Sequence, residues 1–139
     1  MPVATGTFRW TEVYKVNIAA LDQQHRELFN AVNELDQALR AGEGNAALDA
    51  VLRKLSKYAE EHFAAEEALM AKYAFPGLPM HRAQHDNFRR KIAAFLEDQR
   101  AERNGVPVSL LFFIRDWLRD HLLKTDKYYA AFLNARGVH

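Results

Sequence analysis

Six histidines occur in this sequence, and five of them, His25, His62, His81, His85 and His121, recur among leucines and phenylalanines at helical spacing. Glu66 stands four residues after His62, and His85 four after His81. Each pair therefore lies one turn apart on one helix face, where both side chains can reach a single metal centre. A lone inward histidine is ordinarily a core residue whose nitrogens pair with a backbone carbonyl or water. Five of them and a glutamate in one small domain all need partners, at ~1–3 kcal/mol for each buried group left unpaired. A metal satisfies them together. Asp126 follows His121 by five residues, about 140° away on an ideal helix, so spacing alone reads it as a surface acid.

Ligand type narrows the metal. Cysteine is absent, which removes thiolate sites, iron–sulfur clusters, disulfides and cysteine nucleophiles. Imidazoles with carboxylates suit Fe, Mn, Cu or Zn. A structural zinc takes four ligands where seven are on offer, too many for one ion and suited to two. Two carboxylates can bridge a metal pair and five imidazoles divide three and two, which makes the ions unlike. Ferritin-like dimetal bundles instead use Glu-x-x-His, which occurs nowhere here. A histidine-rich, carboxylate-poor site stabilises high-valent iron less well, favouring reversible ligand binding over oxidation.

Four breaker-free segments must position these groups, separated by Ala41-Gly-Glu-Gly-Asn45, Phe75-Pro-Gly-Leu-Pro79 and Arg103-Asn-Gly-Val-Pro107. In the first, Ile18, Leu21, His25, Leu28, Val32, Leu35 and Leu39 alternate at three and four residues. The second carries Leu48, Leu52, Leu55, Ala59, His62, Glu66, Leu69 and Tyr73 on the same rhythm, and the third His81, His85, Phe88, Ile92 and Phe95, with Pro79 in its first turn. The fourth presents Leu110, Ile114, Trp117, His121, Tyr128 and Phe132, with Ser109 as its expected N-cap and a one-residue slip after His121. Short connections make neighbours antiparallel, so the expected fold is all-α, an up-down-up-down four-helix bundle over 18–139. Residues 1–17 read as an irregular N-terminal arm whose Trp10 and Tyr14 pack on the outside. The slip predicts a π-bulge between His121 and Asp126, since roughly 4.4 residues per turn bring that pair to within about 50°.

The 139 residues make one domain, 49% hydrophobic and 27% charged, as in ordinary globular chains. Nineteen basic against eighteen acidic residues, with no long run of either sign, argue against nucleic acid as a partner. The longest apolar stretch, Val106 to Ile114, falls well short of the ~20 residues that span a bilayer, and no membrane partner is expected. The N-terminus lacks the pattern of an export signal, and a cytoplasmic location is expected.

His25 within Leu21-Asp-Gln-Gln-His25, His62-Phe-x-x-Glu66-Glu67, His81-x-x-x-His85-x-x-Phe88 and Trp117-Leu-x-x-His121-x-x-x-x-Asp126 together resemble the hemerythrin family in its stand-alone bacterial form, from Trp10 to about Phe132. The Val16-Asn-Ile-Ala-Ala-Leu-Asp22 segment departs from the Gly-Ile-Pro wording common there, at no ligand position. The resemblance implies a non-haem di-iron site that binds O2 reversibly. It implies that His81, His85 and His121 bind one iron, His25 and His62 the other, and that Glu66 and Asp126 bridge them with an oxo or hydroxo group. Counting ligands then puts the open position on the iron held by His25 and His62. In the family the leucine of Trp-Leu-x-x-His lies over the O2 pocket, which places Leu118 there. Trp117, Phe29, Phe63 and Phe88 are expected as pocket walls or as plain core. Asp22 and Gln24 read equally as supports for His25 and as exposed helix-start residues, Glu67 as solvated, and His139 as a free terminal residue.

Three functions compete. The first is O2 binding without turnover, for storage, delivery or sensing, handing O2 to an O2-consuming enzyme or acting on a separate signalling partner. The second is a di-iron enzyme on the same site, a peroxidase, oxidase or nitric-oxide handler. The third is a bundle in which a metal such as zinc contributes only stability.

Overall fold

The computed structural model describes residues 9–139. The earlier part of the expected arm, and the reading of the terminus as lacking an export signal, lie outside the described residues. Among the described residues five α-helices follow one another: α1 (Ala19–Arg40), α2 (Gly44–Lys72), α3 (Leu78–Arg100), α4 (Val106–Asp120) and α5 (Asp126–Asn134). A π-helical turn, His121–Thr125, joins α4 to α5, so these two form one fourth rod. The connections at 41–43, 73–77 and 101–105 are too short for anything but reversal between neighbours. Contacts of α1 with α2 and α4, and of α3 with α2 and α4, close the up-down-up-down bundle.

Sequence dictates how each rod ends. After α1 the Glu43 amide reaches back to the Ala38 carbonyl and the Gly42 amide to Leu39, with Gly42 at φ 75°, where a side chain would be strained. Pro79 lies in the first turn of α3, as its spacing predicts. The fourth rod starts earlier than expected. Gly105, at φ 76°, is its N-cap, Pro107 occupies the first turn, and the Ser109 amide already donates to the Gly105 carbonyl. Ser109 is therefore inside the helix and not its cap.

The interior holds two apolar clusters. One is built around Leu28, Phe29, Leu35, Leu52, Phe63, Phe88, Leu110 and Leu118, the other around Val16, Leu21, Met70, Leu78, Tyr129 and Leu133. Along every rod the expected metal-binding residues fall between the two. The arm is more deeply engaged than expected. A short 3-10 turn, Glu12–Tyr14, buries Tyr14 edge-on to Phe29 at 4.9 Å, while Trp10 stays partly exposed under the Arg26 guanidinium. Among the described residues no helix is long and apolar enough to cross a membrane.

Candidate metal centre

Each rod contributes to one polar layer. His25 comes from α1, His62 and Glu66 from α2, His81 and His85 from α3, His121 from the junction after α4, and Asp126 from the start of α5. All seven are buried, none more than 4% exposed. Asp126 joins the layer because the rod widens: its amide donates to the His121 carbonyl five residues back, which brings the two side chains onto one face. The widening also corrects the expected inward face of the rod's end. Tyr129 and Leu133 are fully buried, whereas Tyr128 is 73% exposed and Phe132 lies at the edge.

Both carboxylates face both groups of imidazoles. Glu66 Oε1 lies 3.3 Å from His62 Nε2, 3.5 Å from His81 Nε2 and 3.1 Å from His85 Nε2, with His25 Nε2 3.7 Å from Oε2. Asp126 turns Oδ1 toward His81 and His121, at 3.3 and 2.9 Å, and Oδ2 toward His25 at 3.3 Å. Ligand atoms of Glu66, His81, His85 and His121 lie within 4.8 Å of one another, as do those of His25, His62, Glu66 and Asp126. Two donor sets with three and two imidazoles thus share Glu66. The Tyr129 hydroxyl donates to Glu66 Oε2 and fixes the shared carboxylate.

Three rings are held from behind. His62 Nδ1 pairs with Gln24 Oε1 at 2.7 Å, His85 Nδ1 with Glu67 Oε2 at 2.8 Å, and His121 Nδ1 with Gln84 Oε1 at 2.8 Å. With oxygen acceptors outside, the proton sits on Nδ1 and the Nε2 lone pair points inward, the state a metal-binding imidazole needs. Glu67, expected to be solvated, is instead part of the site and is anchored by Arg82 Nε at 3.2 Å. Gln24 serves His62, not His25. Asp22 is buried and accepts the Val16 amide at 2.8 Å, tying the arm to α1. Gln84 and Tyr129 carry no signal in the sequence, and Glu67 reads there as solvated, because each reaches its partner across the bundle, a relation that spacing within one helix does not carry.

The layer fits cations. Glu66 Oε1, both Asp126 oxygens and Nε2 of His81, His85 and His121 are buried without hydrogen-bond partners, a costly state for a protein-only core. Burial opposes charge on His25 and His81, yet Asp126 and Glu66 outweigh it and raise both pKa values to about 9. For His62 burial prevails and its pKa is lowered. Burial would also neutralise the two acids, but the surrounding imidazoles hold both well below the usual carboxylate range.

A pH dependence follows for the metal-free chain. Folding raises His25 and His81 from 6.5 to about 9, so their support is complete below 6.5 and is lost as pH rises through about 9. His62, shifted the other way, acts only below 6.5. The denaturation midpoint of the metal-free chain should fall between pH 6.5 and 9, and that of the metal-loaded chain should stay level. A metal-free midpoint that holds or rises across this window contradicts the account.

Of the expected pocket residues, Trp117 stacks on His121 with ring centres 4.2 Å apart, and Phe63 on His85 at 3.8 Å. Phe29 and Leu118 lie buried in the adjoining apolar cluster, and Phe88 packs edge-on against Phe63.

The hemerythrin HHE cation binding domain matches residues 16–133. The chain belongs to the hemerythrin family. It is 31% identical over 127 residues to bacteriohemerythrin from Methylococcus capsulatus, covering 91% of this chain and 96% of that one. Bacteriohemerythrin from Clostridium acetobutylicum is 27% identical over 127 residues, covering 88% of this chain and 98% of that protein. A crystal structure of wild-type hemerythrin superposes with a TM-score of 0.79 at 31% identity, over 88% of this chain and 95% of the other. Two irons are the family's cofactor, and the two donor sets suit them.

Proposed function

We infer that this chain binds O2 reversibly at a non-haem di-iron centre, for oxygen storage, delivery or sensing. The observation that carries this reading is the pair of donor sets sharing Glu66, with three and two inward imidazoles. His81, His85 and His121 would hold one iron and His25 and His62 the other, with Glu66 and Asp126 as the carboxylates available to both. When bound, the irons supply the redox chemistry that captures O2 and returns it. Gln24, Glu67 and Gln84 keep the Nε2 lone pairs of His62, His85 and His121 turned inward. Tyr129 holds Glu66 at Oε2. The apolar clusters on either side of the layer, with Leu118, Phe29, Phe63 and Trp117, exclude water and with it protons.

The carboxylate-poor donor set supports binding without turnover, so the chain is proposed as a carrier and not an enzyme. It works in the cytoplasm, passing O2 to an O2-consuming enzyme or signalling through a separate partner. The test is to expose the anaerobic ferrous protein to O2. An oxygen-to-iron charge-transfer colour that fades on deoxygenation and returns on re-exposure is the expected result. Permanent bleaching with product formed would establish the enzyme instead, and no colour at all the structural metal bundle.

A further inference from the structure

We propose that Gln84 is a positioning residue that sets two metal-binding groups at once, orienting the His121 ring directly and Asp126 through Thr125. The proposal rests on the metal-binding roles given above to His121 and Asp126. Gln84 precedes His85 on α3 but faces the fourth rod. Its single Oε1 accepts from His121 Nδ1 at 2.8 Å and from the Thr125 hydroxyl at 2.9 Å. An amide oxygen has two acceptor sites, so both are filled. The oxygen cannot donate, which obliges His121 to carry its proton on Nδ1 and leaves Nε2 free to face inward.

Thr125 is the last residue of the π-helical turn, and Asp126 is the next. Such turns are rare and occur mostly as single turns inside α-helices, so an outside tether matters most here. Gln24 and Glu67 each hold a ring from behind. Among the described residues, Gln84 also fastens the turn that delivers a carboxylate. Its side chain stands in the wall between two surface grooves, of about 380 and 600 Å³, one reaching His121 and the other His81. Truncation to alanine would therefore admit a water able to replace the lost acceptor. An unbranched apolar side chain of similar length blocks that substitution.

The experiment compares the full-length parent with Gln84→Met, Gln84→Glu and Thr125→Val. Nitrogen-15 spectra of the histidine rings, metal-free and zinc-loaded, report which nitrogen of His121 carries the proton, and competition titration with zinc(II) reports affinity. The parent and Gln84→Glu, which keeps the acceptor, should show His121 protonated on Nδ1 and bind two zinc ions per chain. In the metal-free form Gln84→Met should lose that signature, and it should bind the zinc ion facing His81, His85 and His121 tenfold to a hundredfold more weakly, the other ion being weakened less, through Asp126 alone. Thr125→Val should keep the signature and weaken both ions modestly, because Asp126 faces both donor sets. Gln84→Met with the parental His121 signature and both affinities intact would overturn the proposal, as would Gln84→Glu behaving like Gln84→Met. Equal weakening of both ions by Gln84→Met together with a lowered melting temperature would also overturn it, because Gln84 would then only hold the bundle together. Should Gln84→Met fail to fold, parental zinc affinity in Thr125→Val would count against the tether. A parent that binds no zinc pair, yet whose His121 signature follows the acceptor at position 84, would sink the two-metal reading and leave the orientation of His121 by Gln84 standing.

Discussion

Glu66→Gln should leave the chain with at most one iron where the parent holds two. Glu66 belongs to both donor sets, and its Oε1 faces His62, His81 and His85 at 3.1 to 3.5 Å. Glutamine keeps the shape but supplies one oxygen and an NH2 group, and it removes a negative charge from a layer crowded with nitrogen donors. Deleting one partner of a buried ionic set costs ~3–5 kcal/mol, roughly two to four powers of ten in affinity. The neighbouring Glu67→Gln keeps an acceptor for His85 and should retain both irons. Native mass spectrometry with iron analysis reads the difference, and circular dichroism checks the fold. Two irons in Glu66→Gln would show that the shared carboxylate is dispensable.

Leu118→Ala should keep both irons but lose its reversible colour in air faster than the parent. Leu118 is 2% exposed and sits one turn before His121 in the apolar cluster beside the polar layer. Truncating such a leucine costs ~2–5 kcal/mol wherever it lies. Beside the metal layer it also opens a way for water, and escape of reduced, protonated oxygen needs that water. Leu35→Ala is the control: equally buried in the same cluster, but ten residues from His25, about 15 Å along α1. It should lose stability without faster autoxidation. Parental rates in both variants, or equal acceleration in both, would reduce Leu118 to a packing residue.

Much of the layer was legible because its members interrupt a regular apolar rhythm. An imidazole between Leu21 and Leu28, or a histidine and a glutamate between Ala59 and Leu69, has no reason to face inward without a partner. The slip after His121 even announced the widened turn that puts Asp126 among them. Periodicity failed where the relation ran between helices. It assigned Glu67 to solvent because nothing in α2 reveals that Arg82 and His85 of α3 stand opposite. Ser109 looked like a cap because capping side chains are the usual signal, whereas the left-handed Gly105 and Pro107 start the rod without one. Tyr128 looked buried because the inward face beyond the slip was still read in α-helical step, and the wider turn moved that face to Tyr129.

The π-helical turn uncouples length from direction. Adding or removing one residue within α1, α2 or α3 would rotate everything beyond it by about 100° and carry buried side chains into water. In the fourth rod one surplus residue is already absorbed: a step of five residues from His121 to Asp126 does the work of an α-helical four. Losing Leu123 would close the turn to an ordinary helix and still leave Asp126, Tyr129 and Leu133 facing inward. Along the rods this is the place where a codon can come or go while the core keeps its alignment, and the interlock with Gln84 is what such a change would forfeit.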